Sequence, residues 1–271
     1  MKVYYSLDDF SKRPAAVVTT GTFDGVHLGH RKILDRLNSV ARNFKGESVL
    51  LTFFPHPRMV LQPDMELKLI NSQSEKIDLL KKTGLDHLII HPFTQEFSRT
   101  TSLDFVRNIL VNTIGAKKLV IGYDHHFGRN REGSFEHLKE FGPVYGFDVE
   151  EIPPQDLEDV TISSTKIRKA LSEGDLITAN EYLGYSFPLT GRVSEGEKLG
   201  SKMGFPTANI LVEETYKLIP GDGVYAVEVI FPSHPEDLYL GMCNIGIRPT
   251  FGGKEIFLET NIFGIKKSLY K

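Results

Sequence analysis

The sequence predicts an α/β domain built on a parallel sheet, followed by a smaller all-β domain. Three observations predict this. Apolar runs alternate with helical periods over the first two-thirds of the chain. After about Phe187, glycine and proline become dense and the apolar segments turn short. The length of 271 residues also exceeds that of a typical single domain.

In the first domain, Ala15–Thr20, Ser48–Phe53, His87–His91 and Lys118–Gly122 read as buried strands bounded by polar or glycine residues. Helical periods cover Leu28–Asn43, Gln73–Thr83 and Leu103–Thr113, with Ser72 and Glu75 forming a capping box for the second. Such alternation implies helices on both faces of a parallel sheet. Ligands then bind at the carboxyl ends of the strands. Beyond Phe187, the segments Val224–Phe231, Leu238–Cys243 and Ile256–Phe263 read as strands of a small barrel, and no helix is expected after Leu183. The boundary falls near Gly184–Ser186, giving domains 1–184 and 185–271.

Composition narrows the function. The chain is 40% hydrophobic and 25% charged, as in soluble globular proteins. Its net charge of -3 argues against general affinity for nucleic acid or acidic membranes, so phosphate binding must come from local sites. No apolar run reaches the roughly 18 residues a membrane span needs. The amino end, MKVYYSLDDFSKRP, lacks the apolar core of a signal peptide. Cys243 is the single cysteine, which excludes an internal disulfide and a cysteine-rich metal site. A cytoplasmic protein acting on small molecules is expected.

Directly after the first strand comes Gly21-Thr22-Phe23-Asp24-Gly25-Val26-His27-Leu28-Gly29-His30. Glycines let backbone N–H groups approach a phosphate, and a helix amino terminus favours negative charge. His27 and His30, three apart, share one face of the first helical turn and can donate to phosphate oxygens. Taken alone, the stretch favours phosphate chemistry over an ordinary glycine-rich turn with surface histidines, and that over metal ligands. A second helix start, Ile162-Ser163-Ser164-Thr165-Lys166-Ile167-Arg168-Lys169-Ala170-Leu171, offers Ser163 as N-cap and Arg168 as a lateral clamp. Its bland reading is a capped helix with a solvated basic face. Two such starts in one α/β domain suit a triphosphate held at both ends.

GTFDGVHLGH resembles the signature of the HxGH nucleotidyltransferases, and ISSTKIRKAL resembles their second motif. Thr52-Phe53-Phe54-Pro55-His56-Pro57 and Gly122-Tyr123-Asp124-His125-His126-Phe127-Gly128 are similar to the prokaryotic FAD synthase module, over nearly all of residues 1–183. The resemblance implies a Rossmann-like domain that transfers AMP from ATP to FMN, giving FAD and pyrophosphate. It implies His27 and His30 at the α-phosphate and Gly21, Phe23, Asp24 and Gly25 around the nucleotide. Ser164, Thr165 and Arg168 are implied at the β- and γ-phosphates. Phe54, Pro55, His56, Pro57, Asp124, Phe127 and Arg129 are implied near the flavin. Mg²⁺ is expected to be held mainly by phosphate oxygens and water. His125 departs from the family's usual aromatic residue, which bears on the flavin contacts.

The second domain resembles the riboflavin kinase module through Gly191-Arg192-Val193, Phe205-Pro206-Thr207-Ala208-Asn209, Gly223-Val224-Tyr225-Ala226 and Asn244-Ile245-Gly246-Ile247-Arg248-Pro249-Thr250-Phe251. That resemblance implies a nucleotide and Mg²⁺ site at Gly204, Thr207 and Asn209, behind a loop with Gly196, Gly200 and Gly204. Asn261, Gly264, Ser268 and Lys271 replace residues usual in the family, and the sequence stops before a strand that carries a catalytic glutamate there. Loss of a general base removes about 10²–10⁴ in rate. The expectation is therefore a monofunctional FAD synthase with a truncated, degenerate kinase barrel. The alternatives are a bifunctional riboflavin kinase/FAD synthase, a non-catalytic flavin or nucleotide sensor, and nucleotidyl transfer to another phosphate acceptor.

Overall fold

Strands whose successive side chains enter opposite cores build the amino-terminal part of the protein. The computed structural model describes residues 1–123, 125–153, 162–194, 207–250 and 253–265. The chain divides into two compact units, Met1–Ser164 with Tyr182–Gly184, and Thr165–Glu181 with Tyr185–Lys271.

The first unit contains β1 (Lys2–Tyr4), β2 (Ala16–Thr20), α1 (Leu28–Asn43), β3 (Glu47–Phe54) and α2 (Pro57–Leu61). It continues through α3 (Gln73–Lys81), β4 (His87–Pro92) and α4 (Ser102–Asp104), which runs into a π-helical stretch, Phe105–Ile114. It closes with β5 (Ala116–Gly122), α5 (Phe135–Tyr145) and β6 (Asp148–Ile152). The six strands form one parallel sheet in the order β1-β4-β3-β2-β5-β6. From β2 the chain steps outward through β3 to β4, then returns to place β5 on the other side of β2. That reversal opens a crevice at the carboxyl ends of β2 and β5.

Side chains alternate across each strand. Val17, Leu50, Leu88 and Val120 meet Leu34, Leu37 and Val40 of α1 on one face. Val18, Val49, Leu51, Leu119 and Ile121 meet Phe105, Val106, Ile109 and Leu138 on the other. Each fully buried leucine of α1 contributes about 1.5–3 kcal/mol relative to exposure. Helix α1 ends where Lys45 turns left-handed at φ 52° and the Gly46 N–H donates to Ala41 O across 2.9 Å. Helix α3 starts on the expected capping box: Ser72 Oγ accepts from Glu75 N at 3.2 Å, and Glu75 Oε2 accepts from Ser72 N at 2.9 Å.

Helices α6 (Ser164–Ser172) and α7 (Leu176–Leu183) run across the division between the units. The second unit contains β7 (Arg192–Ser194), β8 (Ala208–Leu211), β9 (Gly223–Phe231), β10 (His234–Thr250) and β11 (Gly253–Ile262). They form one antiparallel sheet in the order β7-β8-β11-β10-β9. Cys243, Ile245 and Leu258 centre its core, with Leu189, Ile210, Val212 and Tyr225 packed around them. Strand β10 extends well past the expected Leu238–Cys243, because it pairs with β9 along its first part and with β11 along its second.

Candidate active site at the carboxyl ends of the parallel strands

The turn leaving β2 is conformationally unusual. Phe23, Gly25 and Val26 take positive φ values of 47°, 89° and 36°. For a β-branched valine this is an outlier, and such strain concentrates at functional sites. Gly25 is required twice over: its φ disfavours a side chain, and a Cβ there would meet Ile70 Cδ1 at 2.9 Å. Long-range bonds hold the turn. Asp24 Oδ1 accepts from Ile70 N at 3.0 Å, and Ser164 Oγ donates to the Asp24 carbonyl at 2.9 Å. Thr52 Oγ1 donates to Thr22 O at 3.1 Å.

His27 caps α1, its Nδ1 accepting from His30 N at 3.3 Å. The two imidazoles stack with centroids 3.6 Å apart and 19° between planes, and the Phe23 ring lies 4.7 Å from His30 on a tilt. Burial, the His27 ring and the Lys76 ammonium hold the His30 pKa well below its ordinary value. His30 is therefore neutral at pH 7, one ring nitrogen donating and the other accepting. Its Nδ1 is buried without a hydrogen-bond partner among the described residues. An unsatisfied ring nitrogen beside a helix amino terminus suits an anionic ligand with oxygen atoms.

Lys76, on the first turn of α3, was not apparent from the sequence. Its Nζ donates to Thr22 O and, across 2.8 Å, to Thr52 Oγ1. Burial pushes its pKa down to about 8, against the opposing pull of Asp24. Nothing in the helical period of α3 marks this lysine, because its partners are supplied by the ends of two other elements.

On the β5 side, His125 Nε2 lies 3.2 Å from Thr20 Oγ1, and its ring stacks on Phe127 at 5.9 Å and 22°. Burial, His126 and Arg131 push its pKa down to about 4, so it stands neutral as a flat ring at pH 7. Phe127 is 6% exposed and packs on Phe105 at 5.6 Å, within the core. Arg129 is exposed, and its N–H donates to Thr100 O at 2.8 Å. Phe54 ends β3, half-buried beside the core that Val17, Leu50 and Leu88 form with α1; Pro55 follows; His56 Nδ1 accepts from Arg58 N at 3.1 Å to cap α2, whose first residue is Pro57.

Gly21 follows β2 directly, with the Phe23 ring close over its Cα. The structure thus brings together Gly21, Phe23, Asp24, Gly25, His27, His30 and Ser164. Thr165 and Arg168 lie on α6 after Ser164, where the second unit begins. In the second unit, Thr207 precedes β8, and Asn209 pairs with Ser194 on β7 and Glu259 on β11. Asp124, Gly204 and the 195–206 loop lie outside the described residues.

Both parts of the chain match known families. The FAD synthetase family model matches residues 9–166, and the riboflavin kinase family model matches residues 183–271. The bifunctional riboflavin kinase/FMN adenylyltransferase of Buchnera aphidicola is 38% identical over 257 residues, covering 94% of this chain and 81% of the relative. That of Escherichia coli is 35% identical over 272 residues, covering 100% and 86%, and that of Listeria monocytogenes is 36% identical, covering 94% and 80%. A crystal structure described as a macrolide-efflux protein from Streptococcus pneumoniae superposes with a TM-score of 0.87 at 31% identity, covering 99% of this chain and 86% of that one. No helix among the described residues is long and apolar enough to cross a membrane.

These findings correct the expectation of a truncated, incomplete kinase module, and with it the doubt placed on kinase activity. The riboflavin kinase model matches through residue 271, and the relatives carry both activities by name. Two of the departures fall among the described residues. Asn261 lies on β11 opposite Met242, and Gly264 takes φ +78° with open space at its Cβ position. Ser268 and Lys271 lie outside the described residues. With both modules matched, the chain belongs to the family of bifunctional riboflavin kinase/FMN adenylyltransferases.

Proposed function

We propose that the protein phosphorylates riboflavin to FMN and then adenylylates FMN to FAD. The observation that carries the second reaction is the stacked pair His27–His30 on a strained turn beside β2, with His30 Nδ1 lacking a hydrogen-bond partner among the described residues. In this reading residues 1–184 form the adenylyltransferase domain and 185–271 the kinase domain.

An FMN phosphate oxygen attacks the α-phosphorus of MgATP; a new P–O bond forms, the α–β bridge breaks, and pyrophosphate leaves. His27 and His30 donate hydrogen bonds to α-phosphate oxygens as charge builds there, a contribution of about 10²–10³ for one such donor. Because His30 is neutral, it binds this charge without giving up a proton. Gly21, Phe23, Asp24 and Gly25 shape the nucleotide pocket, while Ser164, Thr165 and Arg168 take the β- and γ-phosphates. Phe54, Pro55, His56, Pro57, Asp124 and Arg129 border the flavin, and Phe127 backs His125 from the core. Positioning and electrostatics suffice, with no covalent intermediate.

In the second module the riboflavin hydroxyl oxygen attacks the γ-phosphorus of ATP; the new O–P bond forms as the β–γ bridge breaks, ADP leaves, and the hydroxyl proton is released. Gly204, Thr207 and Asn209 hold the nucleotide. Magnesium would be held mainly by the phosphate oxygens of the nucleotide and by water, and would neutralise charge there.

The test uses labelled ATP. α-Labelled ATP with FMN is expected to give labelled FAD, and γ-labelled ATP with riboflavin labelled FMN. A folded preparation giving neither product refutes the reading, and each module is scored by its own label.

A further inference from the structure

We propose that Lys76 is a positioning residue for adenylyl transfer, its ammonium tying the Thr22 carbonyl to Thr52 and so fixing the turn that presents His27 and His30. The inference rests on the adenylyltransferase reading of that turn. Nζ bonds both Thr22 O and Thr52 Oγ1, and Thr52 Oγ1 itself donates to Thr22 O at 3.1 Å, so three groups from β3, α3 and the turn close one small network. The network clamps the residue between Gly21 and Phe23, just where the backbone enters its left-handed stretch. A turn with positive φ at Phe23 and Val26 keeps that conformation only when its surroundings hold it.

The base of the lysine is equally fixed. Glu75 and Ser72 cap α3 reciprocally, so the helix start that carries Lys76 cannot swing away without breaking two bonds. The charges facing the ammonium are the Asp24 carboxylate from the turn and the His30 imidazole from α1, with His27 stacked behind. Lys76 thus does two things through its neighbours: it holds the turn, and it adds to burial and the His27 ring in lowering the His30 pKa. An ammonium bonded to a carbonyl and a hydroxyl retains a third N–H.

The test compares the full-length wild type with Lys76→Met and Lys76→Arg. Lys76→Met is expected to lower kcat for FAD formation by about 10²-fold, the size of effect for a displacement near 1 Å, with a much smaller change in KM for ATP. Riboflavin phosphorylation by the same preparation is expected to be unchanged, which reports a folded chain. Lys76→Arg is expected to recover most of kcat, since charge and donors return. In proton NMR, the His30 signal, assigned as the one lost in His30→Gln, is expected to titrate at higher pH in Lys76→Met, while burial still holds it below the ordinary value. An unchanged kcat in Lys76→Met, or an unmoved His30 titration, overturns the proposal. Should Lys76→Met fail to fold, Lys76→Arg decides: wild-type kcat with the His30 titration unmoved supports the role, and loss of both refutes it. A wild type that makes no FAD refutes the adenylyltransferase reading instead, and the His30 titration still tests Lys76.

Discussion

Ser164 Oγ donates to the main-chain carbonyl of Asp24 across 2.9 Å, joining residues 140 apart in the chain. The start of α6 is thereby fastened to the strained turn after β2. Ser164→Ala removes the donor and leaves a part-buried carbonyl to find another, a cost of about 0.5–1.5 kcal/mol. We predict a fall of roughly tenfold in kcat/KM for FAD formation, with riboflavin phosphorylation unaffected; steady-state kinetics of both reactions on one preparation checks it.

In the proposed reaction, His30→Ala removes a neutral donor to the α-phosphate. The expected loss in kcat is about 10²–10³-fold, with the fold intact by circular dichroism. Since the His30 pKa lies well below its ordinary value, the wild-type rate should show no limb from this residue between pH 6.5 and 8. A pH–rate profile of FAD formation checks that.

His125 ties stability to acidity. Its folded pKa is about 4 against an ordinary value of 6.5, so in that interval the unfolded chain binds more protons than the folded one. Stability therefore rises with pH through the interval: the contribution is complete above about 6.5, declines as pH falls, and is gone below about 4. His125→Phe keeps a ring against Phe127 and removes the titration. The drop in Tm between pH 7 and pH 5 is predicted to be smaller in this variant, as measured by calorimetry.

Leu34 is fully buried on α1, the helix that His27 and His30 begin. Leu34→Ala should cost about 2–5 kcal/mol in urea unfolding. Activity per folded molecule is predicted to change far less than activity per total protein at 37 °C.

Much of the fold was legible because its signals are local. Val17, Val18, Val49, Leu50 and Leu51 announce buried parallel strands, and Ser72 with Glu75 announces the start of α3. The edge strands β1 and β6 were missed. Asp148–Ile152 carries three acidic residues, with Glu150 paired to Arg36 and to Lys118 at 3.0 Å, so no apolar run marks it. Helix α5 was hidden by Gly142 and Pro143 in its last turns. At the site, spacing puts His27 and His30 on one face of a helix start, while only the family resemblance assigns them to a phosphate. Lys76, Thr20 and Thr52 could not be read from the sequence, since each meets its partner only after strands distant in sequence align. The expectation of a degenerate kinase module fails because drift at Asn261 and Gly264, and the end of the sequence before a strand with a catalytic glutamate, do not outweigh a riboflavin kinase match over residues 183–271 and relatives that carry both activities by name.

The central claim is that one chain carries riboflavin through FMN to FAD. Riboflavin with excess ATP and Mg²⁺, followed by chromatography over time, tests it most directly. The account predicts that FMN appears first and FAD follows, with one ADP and one pyrophosphate released per FAD formed. Riboflavin left unchanged, or FMN accumulating with no FAD, would contradict it.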